Sequence, residues 1–293
     1  MADLHYLDRP GLRNPTLIMA FSGWPNAGEI ASGTAAYLKK RLGAGPLAVI
    51  EADPFFDFTD NRPTAVINNG YVQEINRGNF YFYHLPTATG EPDLIMLSSP
   101  EPQLQWNYFA DLVFQMVEDL GVRTIFTLGG TYDYVPHWLL PTVSTVFSNR
   151  QARDLLPAEN RLNPADYQGP VSIHTAILVK GREVGLPVIG LWGHTPVYIQ
   201  NGFVKMHQRL LEILTGTIGF TLDTSELLDE IADMDRQVEE AVDKNPGLRK
   251  YLDQLKEEYQ SPAREKKPTH PKPTGFGRGK VISLEEFLNK NGD

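Results

Sequence analysis

"TLIMAFSGWPNAGEIASGTAAYLKKRLG", Thr16 to Gly43, carries the reading that decides the fold. Its opening, "TLIMAF" at 16–21, is a continuous apolar run of strand length, the pattern of a strand covered on both faces. From Gly28 the apolar residues fall at helical spacing until a glycine stop at Gly43. "LAVIEAD" at 47–53 then reads as a second strand. A strand, a helix and another strand in this order predict parallel pairing with the helix crossing one face of a sheet.

The same alternation resumes further along. "DLIMLSS" at 93–99 predicts a strand, "QLQWNYFADLVFQMVEDLG" at 103–121 a helix, and "VRTIFTLGG" at 122–130 a strand. Pro170 and the small residues behind it open another helix, Gly185 stops it, and "PVIGLW" at 187–192 is a strand. Between these rounds, residues 64–85 hold two aromatic and β-branched runs around Arg77-Gly78-Asn79, which predicts a hairpin turning there. The alternation as a whole predicts an α/β protein, an αβα sandwich with a mostly parallel sheet.

Past Gly219 the chain becomes acidic and helical, with Leu227, Ile231, Met234, Val238 and Val242 in one stripe at alternating three and four spacing. Such a stripe needs a partner, either the chain's own core or another protein surface. The organisation expected is therefore a core domain over 1–220, a helical appendage over 221–260, a basic Pro/Gly-rich linker over 261–280 and a short amphipathic segment over 281–293.

Bulk composition narrows the function classes. With 293 residues, 41% of them hydrophobic, the chain can bury a large core. A net charge of -9 argues against sequence-independent nucleic-acid binding, which depends on Lys and Arg neutralising phosphates. No apolar run approaches the roughly 20 residues of a membrane span, and "MADLHYLDRPGLRNP" lacks the basic-then-apolar order of a signal peptide, so a cytoplasmic location is expected. The absence of cysteine removes disulfides, thiolate metal sites and cysteine nucleophiles together.

"GWPNAGEIASG" has a glycine, four residues and a second glycine, the skeleton of a phosphate-cradling loop. A P-loop needs Lys and then Ser or Thr after the second glycine, and here Glu29 and Ile30 stand there. A carboxylate at that helix start uses up the dipole that would attract an anion, so no nucleotide cofactor is expected. In an open parallel sheet the loops at the carboxyl ends of the strands share one edge. Four such loops, 23–28, 98–102, 129–137 and 193–198, bring together Glu29, Asp133 and His137 as candidate catalytic acids or bases. They also bring Trp24, Asn26, Glu101, Tyr132, His194 and Tyr198 as candidate ligand-binding residues. The structural alternative is that Asn26 and Glu29 cap a helix, Trp24 packs and the histidines are hydrogen-bonded core groups. His174, His194 and His207 are scattered without metal-ligand spacing, so no metal is expected. "G-x-S-x-G" does not occur, so no serine nucleophile is marked by motif.

The order of motifs is more specific than any one of them. "F-S-G-W-P-N-A-G" after the first long strand, "L-G-G" followed by "V-P-H", "Y-x-G-P" before a helix and "G-L-P-V-I-G-L-W" with a nearby Pro and Tyr resemble the PAC2 family over roughly residues 15 to 255. These are the prokaryotic relatives of proteasome assembly chaperone 2. The family's first motif usually reads F-x-G-W-x-D-A-G, so Asn26 replaces an acid. The resemblance implies a fold of phosphorylase/hydrolase-like type, a cytosolic, self-associating protein, and an assembly-chaperone-like role towards protein partners. Some archaeal relatives engage the proteasome through a hydrophobic-Tyr-any tail, whereas this sequence ends Lys290-Asn291-Gly292-Asp293. Kinship with nucleosidases implies the alternative, a small-molecule hydrolase working in the strand-end crevice.

Overall fold

The computed structural model describes residues 3–160, 162–200 and 202–260. The expected linker at 261–280 and the segment at 281–293 lie outside the described residues. In chain order the strands are β1 (Leu4–Tyr6), β2 (Thr16–Ser22), β3 (Gly45–Ile50), β4 (Thr64–Asn68), β5 (Tyr71–Asn76), β6 (Phe80–Leu85), β7 (Leu94–Pro100), β8 (Thr124–Asp133), β9 (Val143–Phe147), β10 (Asn163–Pro164) and β11 (Val188–Pro196). The helices are α1 (Ile30–Leu42), α2 (Trp106–Asp119), α3 (Arg150–Asp154), α4 (Ile173–Val184), α5 (Val204–Ile218), α6 (Glu226–Lys244) and α7 (Pro246–Gln260).

Nine strands form one sheet in the order β1-β3-β6-β7-β2-β8-β11-β9-β10. Its centre, β7-β2-β8-β11, is parallel throughout. The flanks are mixed: β6 runs antiparallel to β7 and β3, and β9 antiparallel to β11. β2 lies in the middle with Leu17 to Phe21 fully buried, because the odd residues face one helical layer and the even residues the other. Leu17, Met19, Ile95, Leu97, Ile125 and Val188 pack beneath α2 and α4. Ile18, Ala20, Phe126, Leu128, Ile189 and Leu191 pack beneath α1, α5, α6 and α7. The result is the αβα sandwich that the alternation predicts.

The stripe of α6 is used inside the chain. Leu227, Met234 and Val238 are buried in the same core as α1 and α5, with Val242 packed against it. Lys40 and Arg41 at the end of α1 pair with Glu226 at the start of α6, and Arg41 also pairs with Asp223. Pro246 separates α6 from α7. It occupies the first helical position, where its missing N–H costs nothing, and Asn245 Oδ1 accepts from the N–H groups of Gly247 and Leu248 at 2.9 and 3.1 Å.

The hairpin departs from its expected position. It turns at Asn69-Gly70, not at Arg77-Gly78-Asn79: β4 pairs with β5, while β6 leaves to enter the main sheet between β3 and β7. Asn69 and Gly70 both hold positive φ, 49° and 80°, the two-residue turn whose twist matches a hairpin. Phe80, Phe82 and Leu85 are buried in β6, and that burial draws the strand away from β5.

Candidate functional site

The loop after β2 is held by its own backbone. Asn26 Oδ1 accepts from the N–H groups of Ala31 and Ser32 at 2.8 and 3.1 Å, while its amide donates to Ser32 Oγ at 2.8 Å. Asn26 therefore satisfies the first turn of α1 in the way a cap residue does, although it stands four residues before the helix. Further donors of the loop are engaged as well: Ala27 N–H reaches Gly130 O, Glu29 N–H reaches Asn26 O and Ile30 N–H reaches Ala27 O. An anion cradle needs such groups unpaired. Gly130 lets the loop lie against β8, since a Cβ there would collide with Ala27 O. The glycine spacing thus serves strand-to-loop packing, and Trp24 is left on the rim, 61% exposed.

A second cluster sits where β8, β11 and β9 run side by side. Asp133 ends β8, His194 lies near the end of β11, and Ser144 is the second residue of β9, directly opposite Trp192 in the antiparallel register. His194 Nδ1 is 2.7 Å from Asp133 Oδ2, and His194 Nε2 is 2.7 Å from Ser144 Oγ. A carboxylate only accepts, so Nδ1 carries the proton and donates to Asp133; Nε2 then presents its lone pair to the Ser144 hydroxyl. His194 is buried, whereas Ser144 is partly exposed. Asp133 also accepts from the Tyr134 N–H at 2.7 Å through its other oxygen, which fixes the carboxylate plane.

The other candidates occupy separate positions. Glu101 Oε1 accepts from the Ile173 N–H at 2.9 Å, capping α4 from a distance, and burial pushes its carboxyl above the usual range. His137 and Tyr198 lock together: the His137 N–H donates to Tyr198 Oη at 2.9 Å, and that hydroxyl lies 2.8 Å from His137 Nδ1. Burial first, and the nearby Lys205 second, lower His137 to about 4. Tyr132 donates to Gln200 O at 2.7 Å. Glu29 is exposed, in left-handed backbone at φ 56° just ahead of α1. Of the predicted residues, then, Asp133 and His194 converge on each other, His137 and Tyr198 on each other, and Glu29 and Glu101 flank different helices. Among the described residues no group of three or more His, Cys, Asp or Glu side chains could hold a metal ion. No helix among them is long and apolar enough to cross a membrane.

A family model, that of the PAC2 family, matches residues 20–242. The chain belongs to the PAC2 family. Among solved structures it is similar to a protein of unknown function from Corynebacterium glutamicum, at TM-score 0.78 and 23% identity over 90% of this chain and 99% of that one. It is similar to a PAC2 family protein from Streptomyces avermitilis at TM-score 0.71 and 25% identity, over 81% and 99%. It is similar too to a proteasome-assembly chaperone homologue of Mycobacterium tuberculosis at TM-score 0.72 and 22% identity, over 81% and 99%. No curated protein matches it.

In this geometry the glycines of the PAC2 signatures make close packing contacts. "FSGWPNAG" docks on "LGG" through Gly130, and Gly28, at φ 63°, leaves room for Thr195, whose side chain would lie 2.7 Å from a Cβ there. Within "PVIGLWG", Trp192 covers Gly129 and rests on the buried His174 ring at 5.0 Å. Ser144 is the residue that sequence reasoning passes over. It stands in no motif, and only the antiparallel placement of β9 beside β11 brings it to His194.

Proposed function

We propose that this PAC2 protein is a cytoplasmic, self-associating protein that binds protein partners in an assembly-chaperone-like way. The observation that carries the reading is the β4–β5 hairpin, a two-stranded sheet apart from the main one in which every strand residue is exposed. In its register Ala65 faces Ile75 and Ile67 faces Val72, so one side of the hairpin is apolar. On that side Ile67 is 64% exposed and Val72 59%. A contiguous apolar face left in water marks an interaction surface rather than a core. The occupant it suits is a second copy of the same hairpin, since a two-fold contact sets identical patches against each other. The chaperone-like role draws on family membership and on the description of the mycobacterial neighbour. The α6 stripe, being buried, contributes nothing to such a surface.

The test is molar mass by light scattering at micromolar concentration, for the wild type and for the double variant Ile67→Lys with Val72→Lys. The reading expects an oligomer that the variant splits into monomers. A monomeric wild type, or an oligomer untouched by the variant, would overturn it.

A further inference from the structure

We propose that Ser144, His194 and Asp133 form a nucleophilic relay that gives this protein acyl-ester hydrolase activity, independent of the protein-binding surface. Three features carry the inference. The two links, Ser144 Oγ to His194 Nε2 and His194 Nδ1 to Asp133 Oδ2, are both 2.7 Å. The order of exposure suits the chemistry, with the serine partly exposed, the histidine buried and the carboxylate little exposed behind it. Each member sits on a strand of the main sheet and not on a loose loop, so the geometry is fixed before any substrate arrives. Nucleophilic triads are recognised by such roles and distances and recur on unrelated folds in any chain order; here the order is Asp, Ser, His.

Ser144 Oγ adds to the carbonyl carbon of an ester while its proton passes to His194 Nε2, leaving an imidazolium held by the Asp133 carboxylate. The tetrahedral carbon collapses, the C–O bond to the leaving alcohol breaks, and that oxygen takes the proton from Nε2. Water then adds to the Ser144 acyl ester, giving its proton to Nε2, and collapse returns the proton to Oγ and frees the carboxylic acid. General-base activation of this kind contributes about 10²–10⁴-fold, so esters with good leaving groups are the substrates it reaches first. Val146, two residues along β9 on the same face and exposed, lies beside the serine and favours an uncharged acyl group.

The full-length protein is treated with a fluorophosphonate probe and with p-nitrophenyl acetate. One covalent adduct per chain is expected, mapped to Ser144 by peptide mass, together with ester turnover; both should fall at least about 100-fold in Ser144→Ala. An unlabelled wild type, an adduct on another residue, or labelling of Ser144→Ala at the wild-type rate would overturn the proposal. The absence of native cysteine supplies a second test that does not depend on turnover. In Ser144→Cys the single thiol beside His194 should be alkylated by iodoacetamide faster in the folded protein than in urea. Its rate should inflect below the free-thiol value of about 8.5. Asp133 is a positioning residue, so Asp133→Asn in that background should move the inflection back towards the free-thiol value. A thiol in folded Ser144→Cys that reacts no faster than in the denatured chain, or an inflection that ignores Asp133→Asn, would defeat the relay.

Discussion

Two regions of this chain carry similar apolar side chains and meet opposite fates. On α6, Leu227, Met234 and Val238 lie on a helix whose other faces are acidic, and all three are buried against α1 and α5. On the β4–β5 hairpin, Val66, Ile67, Val72 and Ile75 are exposed. The helix packs against α5 and α7, whereas the hairpin leaves the sheet between two strands that belong to it. What decides burial is where the topology carries an apolar face, and the strength of the periodicity does not report it. The apolar surface available to a partner is therefore on the weaker sequence signal.

The largest expected effect lies on the buried side of this comparison. Leu227→Ala should cost about 2–5 kcal/mol in urea unfolding, because it removes packed methyl groups and leaves a cavity between α6 and the core. A cost within about 0.5 kcal/mol would mean that α6 does not rest on the core. Next comes His174, buried with both ring nitrogens lacking a hydrogen-bond partner, between Phe21 and Trp192. Burial lowers it to about 3, so it stays neutral in the folded chain and takes up a proton once unfolded. Between about 6.5 and about 3 the unfolded state binds more protons, and stability falls as pH is lowered through that window, by about 2 kcal/mol by pH 5 for this group. His174→Phe should flatten the pH dependence of the urea midpoint; an unchanged slope would assign it to His137 and His207, both lowered to about 4 chiefly by burial.

The parallel centre of the fold is legible in the sequence because buried strands and amphipathic helices alternate there without interruption. The flanks are not: β9 and β10 are short, and β9 is interrupted by Ser144 and Thr145, so nothing in its pattern announces a strand antiparallel to β11. The candidate site divides in the same way. Asp133 and His194 follow apolar strands and can be placed at strand ends from the alternation alone. Ser144 requires the register of β9 on β11, a long-range fact that no local spacing encodes. Asn26 is legible as a residue of the loop, and its side-chain bonds to Ala31 and Ser32 then show it to be the cap of α1.

That cap gives the next smaller effect. Asn26→Ala should destabilise by about 1 kcal/mol, the usual worth of a capping side chain, since two N–H groups of α1 lose their acceptor. Asn26→Asp restores the acceptor and places a negative charge near the helix N-terminus, so it should recover most of the loss. If instead Asn26→Ala leaves stability unchanged, the residue is free for ligand binding and its bonds to the first turn are incidental.

The smallest effect on chain stability belongs to the hairpin, and it separates folding from association. Ile67 and Val72 are both exposed and pair with each other across the hairpin, so Ile67→Lys with Val72→Lys should change the stability of a dilute, monomeric chain by no more than about 0.5 kcal/mol. Association stabilises the folded state by mass action, which makes the melting temperature rise with protein concentration. The wild type should show that rise between nanomolar and micromolar protein, and the double variant should melt at one temperature across the range. A variant that still gains stability with concentration would place the self-contact elsewhere on the surface. A variant destabilised as strongly as Leu227→Ala would mean that the hairpin face is core after all, and the contrast with α6 would be lost.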